Sequence, residues 1–319
     1  MRTARLGSSG PELSVIGFGA WQAGASDFLG PAPPRERLGE AVHAVFGAGI
    51  NWIDTAEVYG AGHSEEVVAL AVSGRRDDVL IATKVAPAPG GTGFRPPQVR
   101  DACTASLRRL RTDRIDLYQL HWPDEHGVPL EDTWGAMAAL VDDGLVRYVG
   151  LSNFDRALIE RCEAIRHVDS LQQEFSMLVL EDRELIRWCG EQGIGVVAYG
   201  PLGYGLLTGA IDAQTRFDPR DFRSGHDEWE YWQRLFAPGR LERSLAVVEA
   251  MRPIAERLEV TPGQLALAWN VRQPGVTSAI AGSRNPDHVR ANAAAGDVEL
   301  DEPTLAELDA LLSLGPAFG

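Results

Sequence analysis

Cysteine is scarce in this chain. Only Cys103, Cys162 and Cys189 occur in 319 residues, far apart and in no Cys-x-x-Cys pair. So sparse and odd a set excludes a disulfide scaffold and a thiolate metal centre, and marks reduced residues in or near a core. Long apolar runs are missing as well: no stretch approaches the roughly 18 consecutive apolar residues of a membrane-crossing helix. Met1-Arg2-Thr3-Ala4-Arg5 leads into no apolar leader segment. The expectation is a cytoplasmic protein with no membrane partner. Positive charge is short, with 30 Lys and Arg against 45 Asp and Glu, a net charge of −15. That balance argues against nucleic acid as a partner but allows a local basic pocket for a phosphate. Histidine numbers only seven, with no His-x-His pair, which disfavours a metal-dependent barrel hydrolase; no metal site is expected. No Gly-x-Gly-x-x-Gly follows a strand-like run, so a Rossmann phosphate loop has no support.

What the chain does have is alternation. Short apolar runs rich in β-branched residues alternate with amphipathic helical stretches, as in parallel strands buried on both faces. The strand-like runs are Ile16–Gly19, Asn51–Asp54, Val79–Lys84, Ile115–His121, Val146–Ser152, Ser170–Glu174, Gly195–Ala198 and Val276–Ala281. Between them, Val99, Ala102, Cys103, Ser106, Leu107 and Leu110 recur at the spacing of one helix face. Leu158, Ile159, Cys162 and Ile165 form a second such stripe. Eight repeats of strand and helix point to a closed (β/α)8 TIM barrel, a single α/β domain over residues 1–319. An opening hairpin is expected at Ala4 to Leu6 and Leu13 to Ile16, with Gly7 and Gly10-Pro11 as turn signals. A long loop after the seventh strand, Leu206 to Arg240, carries Phe217, Phe222, Trp229, Tyr231, Trp232 and Phe236. Leu305, Leu308, Leu311 and Leu312 suggest an extra C-terminal helix.

Barrel enzymes gather their catalytic groups where strands run into the following loops. Three consecutive strand-like runs end in Asp54, Lys84 and His121, and Tyr59 follows five residues after Asp54. A buried Lys beside a carboxylate stays charged, and a cation near a phenol favours the phenolate. Tyr59 then suits a general acid, and His121 an orienting hydrogen bond to the same substrate oxygen. Schiff-base chemistry at Lys84 fits less well with the adjacent Asp54 and Tyr59.

Those segments resemble the aldo-keto reductase superfamily. The likeness is carried by Asp54-Thr55-Ala56-Glu57-Val58-Tyr59-Gly60, Ile81-Ala82-Thr83-Lys84, Ser106-Leu107-Arg108-Arg109-Leu110 and Asp116-Leu117-Tyr118-Gln119-Leu120-His121-Trp122-Pro123-Asp124, in family order. It runs from Gly17 to about Asn292. The resemblance implies a catalytic tetrad of Asp54, Tyr59, Lys84 and His121, and hydride transfer from NADPH to an aldehyde or ketone, with Tyr59 protonating the oxygen.

It also implies a cofactor site. Ser152 and Asn153 would meet the nicotinamide carboxamide, Gln173 would stand on the next strand, and Tyr199 would stack under the ring, with Gly200 and Leu202 following. Gly200 departs from the commoner serine. Gly282, Ser283 and Arg284 lead into a helix near Pro286, a place suited to a 2′-phosphate, so NADPH is favoured over NADH. Asn292 matches the family adenine contact, while His288 and Ala291 depart from the pattern. Trp21, which together with Asp54 also borders the cofactor, forms a substrate pocket with Tyr59 and Trp122 for a small-molecule carbonyl, with Gln22 at its mouth. Two other readings stand beside this one: a nucleotide-holding regulatory subunit with slow turnover, and an NAD-linked alcohol or polyol dehydrogenase. No apolar surface stripe beyond the helical core faces marks a subunit interface.

Overall fold

The computed structural model describes residues 1–24, 34–88, 90–225 and 230–314. A short antiparallel hairpin, β1 (Thr3–Arg5) and β2 (Glu12–Ser14), precedes eight parallel strands. These are β3 (Ile16–Gly19), β4 (Trp52–Asp54), β5 (Leu80–Val85), β6 (Ile115–Leu120), β7 (Val146–Ser152), β8 (Ser170–Glu174), β9 (Gly195–Tyr199) and β10 (Val276–Ile280). They close in chain order, with β10 pairing back onto β3. The helices are α1 (Arg35–His43), α2 (Val45–Ala48), α3 (His63–Ala71), α4 (Pro96–Leu110), α5 (Leu130–Asp142), α6 (Arg156–Glu163), α7 (Arg183–Glu191), α8 (Glu230–Leu235), α9 (Arg240–Arg257), α10 (Pro262–Asn270), α11 (Pro286–Ala294) and α12 (Glu302–Leu314).

The eight expected strands are all present, with ends shifted by at most a residue. Nearly every strand residue is buried, because one face packs inward and the other lies under the helices. The six α4 stripe residues are all buried. The second stripe is shorter than its spacing suggests: α6 ends at Glu163, and Ile165 is 45% exposed beyond it. The hairpin also ends earlier than expected. Ile16 belongs to the barrel, and the Asn51 carboxamide oxygen accepts from the Ser14 amide at 2.7 Å, tying the hairpin to the barrel instead of starting a strand.

The hairpin contributes Leu6 and Leu13 to a plug made with Trp52, Leu117 and Val197. Trp52 fits because its Nε1 donates to the Ser14 carbonyl and to Ser278 Oγ, each at 3.1 Å. Closing one end in this way leaves the other, where the strands end, as the open face. All three cysteines are buried, and burial pushes each thiol up to about 12, so none acts as a nucleophile near neutral pH. No helix among the described residues is long and apolar enough to cross a membrane.

The stretch after β9 is more ordered than its composition suggests. A kinked 3-10 segment at Gly203–Thr208 and a 3-10 turn at Phe222–Ser224 precede α8. Phe222 packs edge-on against Phe236, which likewise meets Phe217. Trp229 and the Tyr231 side chain lie outside the described residues.

Gly17 allows Trp52 to fill the barrel: a Cβ there would lie 2.1 Å from the indole. Gly17→Ala is therefore expected to destabilise the protein by about 1–3 kcal/mol, the usual effect of overpacking. Urea unfolding checks this, and a midpoint equal to wild type would mean that Trp52 has room to move.

Candidate active site

Adjacent parallel strands bring residues distant in sequence to one rim. The β4–β5 register pairs Asp54 with Ala82, and β5–β6 pairs Lys84 with Gln119, so Asp54, Lys84 and His121 arrive side by side. Lys84 has no solvent exposure. Its Nζ donates to Asp54 Oδ1 at 2.6 Å, to the Thr55 carbonyl at 2.9 Å and to Tyr59 Oη at 3.3 Å. An ammonium has three donors, and all three are engaged. Burial pulls the Lys84 ammonium below the usual lysine range, while Asp54 and, more weakly, Glu65 oppose that pull. The other Asp54 oxygen accepts from Gln172 Nε2 at 2.8 Å.

His121 crosses Tyr59 edge-on with ring centroids 5.6 Å apart and stacks on Trp122 at 3.8 Å. Burial foremost, and then the Lys84 charge, hold its imidazole well below the ordinary 6.5. It is neutral at neutral pH. Its Nδ1 is buried with no hydrogen-bond partner among the described residues. An orphaned acceptor is more tolerable than an orphaned N–H, so the proton belongs on Nε2, the nitrogen left for the cavity.

A cavity of about 1190 Å³ opens over this group. Its walls include Trp21, Asp54, Tyr59, His121, Trp122, Ser152, Asn153, Tyr199, Gly200, Leu202, Gly282, Ser283, Arg284, His288, Ala291 and Asn292, with Gln22. Lys84 lies beneath the wall. Gln173 is the exception among the expected residues: its side chain donates to Asp182 at 2.7 Å, and Gln172 lines the cavity instead. Leu171 and Phe175, both in the core outside the barrel, share the face of Gln173 at period two. That alternation was available in the sequence. Arg37 and Arg223 also line the cavity. No local motif marks them; Arg223 is placed by a paired contact with Asp221 and by donation to the Tyr204 carbonyl at 3.1 Å.

Asn153 is held in the left-handed region, at φ 63°. Its Nδ2 donates to the His121 carbonyl at 3.0 Å and to Ser152 Oγ at 3.1 Å, and its Oδ1 accepts from Tyr199 Oη at 2.8 Å. One amide thus joins the ends of β6, β7 and β9. Beyond β10, the Asn285 side chain caps α11 by accepting from Asp287 N at 3.0 Å, and Arg284 Nε donates to the Gln22 carbonyl at 3.2 Å. Trp21 meets Tyr204 and Phe222, each with centroids 6.2 Å away, so the segment after β9 reaches the end of β3. Among the described residues, no group of three His, Cys, Asp or Glu is placed to hold a metal.

A tyrosine, a buried lysine–aspartate pair and a neutral histidine thus gather beneath one cleft at the open end of the barrel. The Aldo/keto reductase family model matches residues 15–313. Aldo-keto reductase str7 of Strobilurus tenacellus is 34% identical over 313 residues, covering 95% of this chain and 90% of that protein. The structure of a glycerol dehydrogenase from Gluconobacter oxydans superposes with a TM-score of 0.84 at 28% identity, over 98% of this chain and 95% of that one. An aldo/keto reductase from Klebsiella pneumoniae, solved with NADP and acetate, gives 0.74 at 30% identity, over 98% and 96%. The chain belongs to the aldo/keto reductase family and is an NAD(P)H-dependent oxidoreductase acting on small-molecule carbonyls.

A neutral buried His121 makes stability depend on pH. The unfolded imidazole takes up a proton near 6.5 and the folded one does not, so stability should fall as pH drops below that value. This one group contributes about 1.4 kcal/mol per pH unit. Unfolding measured from pH 7 to 5 should show this slope in wild type and a shallower one in His121→Gln. Equal slopes would place the acid sensitivity elsewhere.

Proposed function

We propose that the protein reduces an aldehyde or ketone with NADPH, and that Tyr59 delivers the proton. The observation that carries this reading is the 3.3 Å contact from Lys84 Nζ to Tyr59 Oη, with Asp54 behind the lysine. Because Oη accepts from Lys84, the phenol keeps its own hydrogen as a donor. As that hydrogen leaves, negative charge grows on Oη beside a cation already in place. Nε2 of His121 directs a second hydrogen bond at the same carbonyl oxygen and fixes its position between the two rings. Trp21 and Trp122 wall the carbonyl's substituent and favour an apolar or aromatic one.

The residues present suit a dinucleotide. Tyr199 offers a flat shelf held by Asn153, and Ser152 Oγ with the remaining lone pair of Asn153 Oδ1 suits a carboxamide. Ser283, Arg284 and the capped start of α11 suit a phosphate ester. When bound, the nicotinamide supplies the hydride. Asp54 is the only carboxylate lining the cavity among its described walls, and Lys84 neutralises it as Asp221 does Arg223, so Arg37 and Arg284 dominate the local charge. That supports NADPH over NADH.

The likeness to a glycerol dehydrogenase favours a second direction, oxidation of an alcohol or polyol with NADP+, in which Tyr59 accepts the proton. Absorbance of NADPH with a panel of aldehydes and ketones, and of NADP+ with polyols, separates the two. Tyr59→Phe is expected to lower kcat by about 10²–10⁴, the usual share of a positioned acid. Turnover retained in Tyr59→Phe would remove Tyr59 as the donor. Arg284→Ala should raise the NADPH Kd by about 10-fold to 100-fold, the loss of one charge-assisted hydrogen bond, and leave the NADH Kd unchanged. An equal rise for both cofactors would move the 2′-phosphate away from Arg284.

A further inference from the structure

Inside the barrel, Gln119 on β6 and Ser170 on β8 have no solvent exposure. Neither amide atom of Gln119, nor Ser170 Oγ, has a hydrogen-bond partner among the described residues. The two side chains are neighbours. Gly150 on β7 pairs with Gln119 on one side and with Ser170 on the other. A Cβ built on Gly150 would stand 3.2 Å from Gln119 Cγ and 3.2 Å from Ser170 Cβ. Both carbons therefore lie within twice that distance of each other. No direct bond joins their polar ends, and one water placed between the two side chains would reach both. Three orphaned buried groups would cost about 1–3 kcal/mol each, a sum comparable to the whole stability of a domain. A water with two or more polar partners lowers that cost.

The same row continues to the catalytic lysine, because Lys84 on β5 is the register partner of Gln119. We propose that Gln119 and Ser170 bind one ordered water inside the barrel, and that this hydrated amide is the polar floor beside the Lys84 ammonium. Gln119 is then a positioning residue for proton transfer through Tyr59, an inference that rests on the function proposed above. Lys84 directs its three donors to Asp54, Thr55 and Tyr59, so the amide acts on it as a dipole and not as a ligand. The titratable groups facing Lys84 are Asp54 from β4, Tyr59 from the following loop, His121 from β6 and Glu65 from α3. All four remain in place when the floor is removed, so the effect of the floor can be read separately.

A crystal structure of the wild-type protein at water-resolving resolution is the first test. One water within hydrogen-bond distance of both the Gln119 amide and Ser170 Oγ is expected; a dry site, or a direct bond between the two side chains, overturns the proposal. Gln119→Met and Ser170→Ala supply the second test. Without the floor the charged lysine is less stable and loses its proton more readily. The alkaline limb of the kcat profile for carbonyl reduction should then move to lower pH by about half a unit or more, with carbonyl KM and NADPH Kd within about twofold of wild type. A limb unmoved in both variants overturns the proposal. Ser170→Ala removes a single hydroxyl and keeps the test open if Gln119→Met does not fold. If the wild type turns over no carbonyl, the proposed function fails, and the bound water together with the phenolate absorbance titration of Tyr59 in the same variants still decides this inference.

Discussion

An ammonium group without solvent contact is an expensive thing to place in a protein, and the site is organised around meeting that requirement at Lys84. Asp54 supplies the counter-charge at 2.6 Å, the Thr55 carbonyl takes a second donor, and Tyr59 Oη takes the third. Each partner follows from barrel topology. β4 and β5 lie next to each other in register, and the chain leaving β4 turns back over the lysine. Gln172, reaching from β8, holds the other Asp54 oxygen and so fixes the carboxylate from across the barrel. In the proposed reaction, a charged and immobile lysine stabilises in advance the conjugate base of the phenol beside it. The same charge helps keep His121 neutral. One buried cation thus touches two neighbours: it adds to the burial that keeps His121 a free base, and it donates to Tyr59 Oη.

Asn153 links this centre to the long cleft. Its amide ties the His121 carbonyl, Ser152 Oγ and Tyr199 Oη together, so the tyrosine proposed as a shelf for a planar ring and the histidine proposed to orient a substrate oxygen share one support. A non-glycine residue in the left-handed region persists only where its surroundings hold it. Here the hydrogen bonds of three strand ends do so. The relative position of shelf and histidine is therefore set by the barrel itself, and the segments after β3 and β9, joined through Trp21, Tyr204 and Phe222, close over a geometry already in place.

The barrel was legible because parallel strands buried on both faces read as short apolar runs, and because their chemically distinctive residues stand at the ends. Asp54, Lys84 and His121 each terminate such a run. Face assignment within a strand was less secure. Gln172 and Gln173 are chemically identical, and only the period-two relation of Gln173 to Leu171 and Phe175 separates them. The hairpin and the end of α6 depended on single hydrogen bonds and on where a helix stops, neither of which leaves a periodic trace. Arg37 and Arg223 carry no local signal, since they meet the cleft only through the packing of a distant helix and a distant turn.

Those arginines bear on what the protein admits. The chain as a whole carries a net charge of −15, which repels polyanions and acidic surfaces at long range. Inside the cleft the balance reverses, because Lys84 cancels Asp54, Asp221 cancels Arg223, and Arg37 and Arg284 line the remaining wall. A ligand bearing a few phosphates meets those arginines in the cleft, and low-dielectric walls concentrate the attraction. The reacting end of the cleft is different in kind. Around Tyr59 and His121 the walls are indole and phenol, and the one cation is buried beneath them. On the function proposed here, charge chooses the cofactor at one end, and shape and aromatic surface choose the carbonyl at the other. The two ends are nonetheless joined through the segment after β3, because Ala20 N donates to the Asp54 carbonyl and Gly24 lies against the Tyr59 backbone.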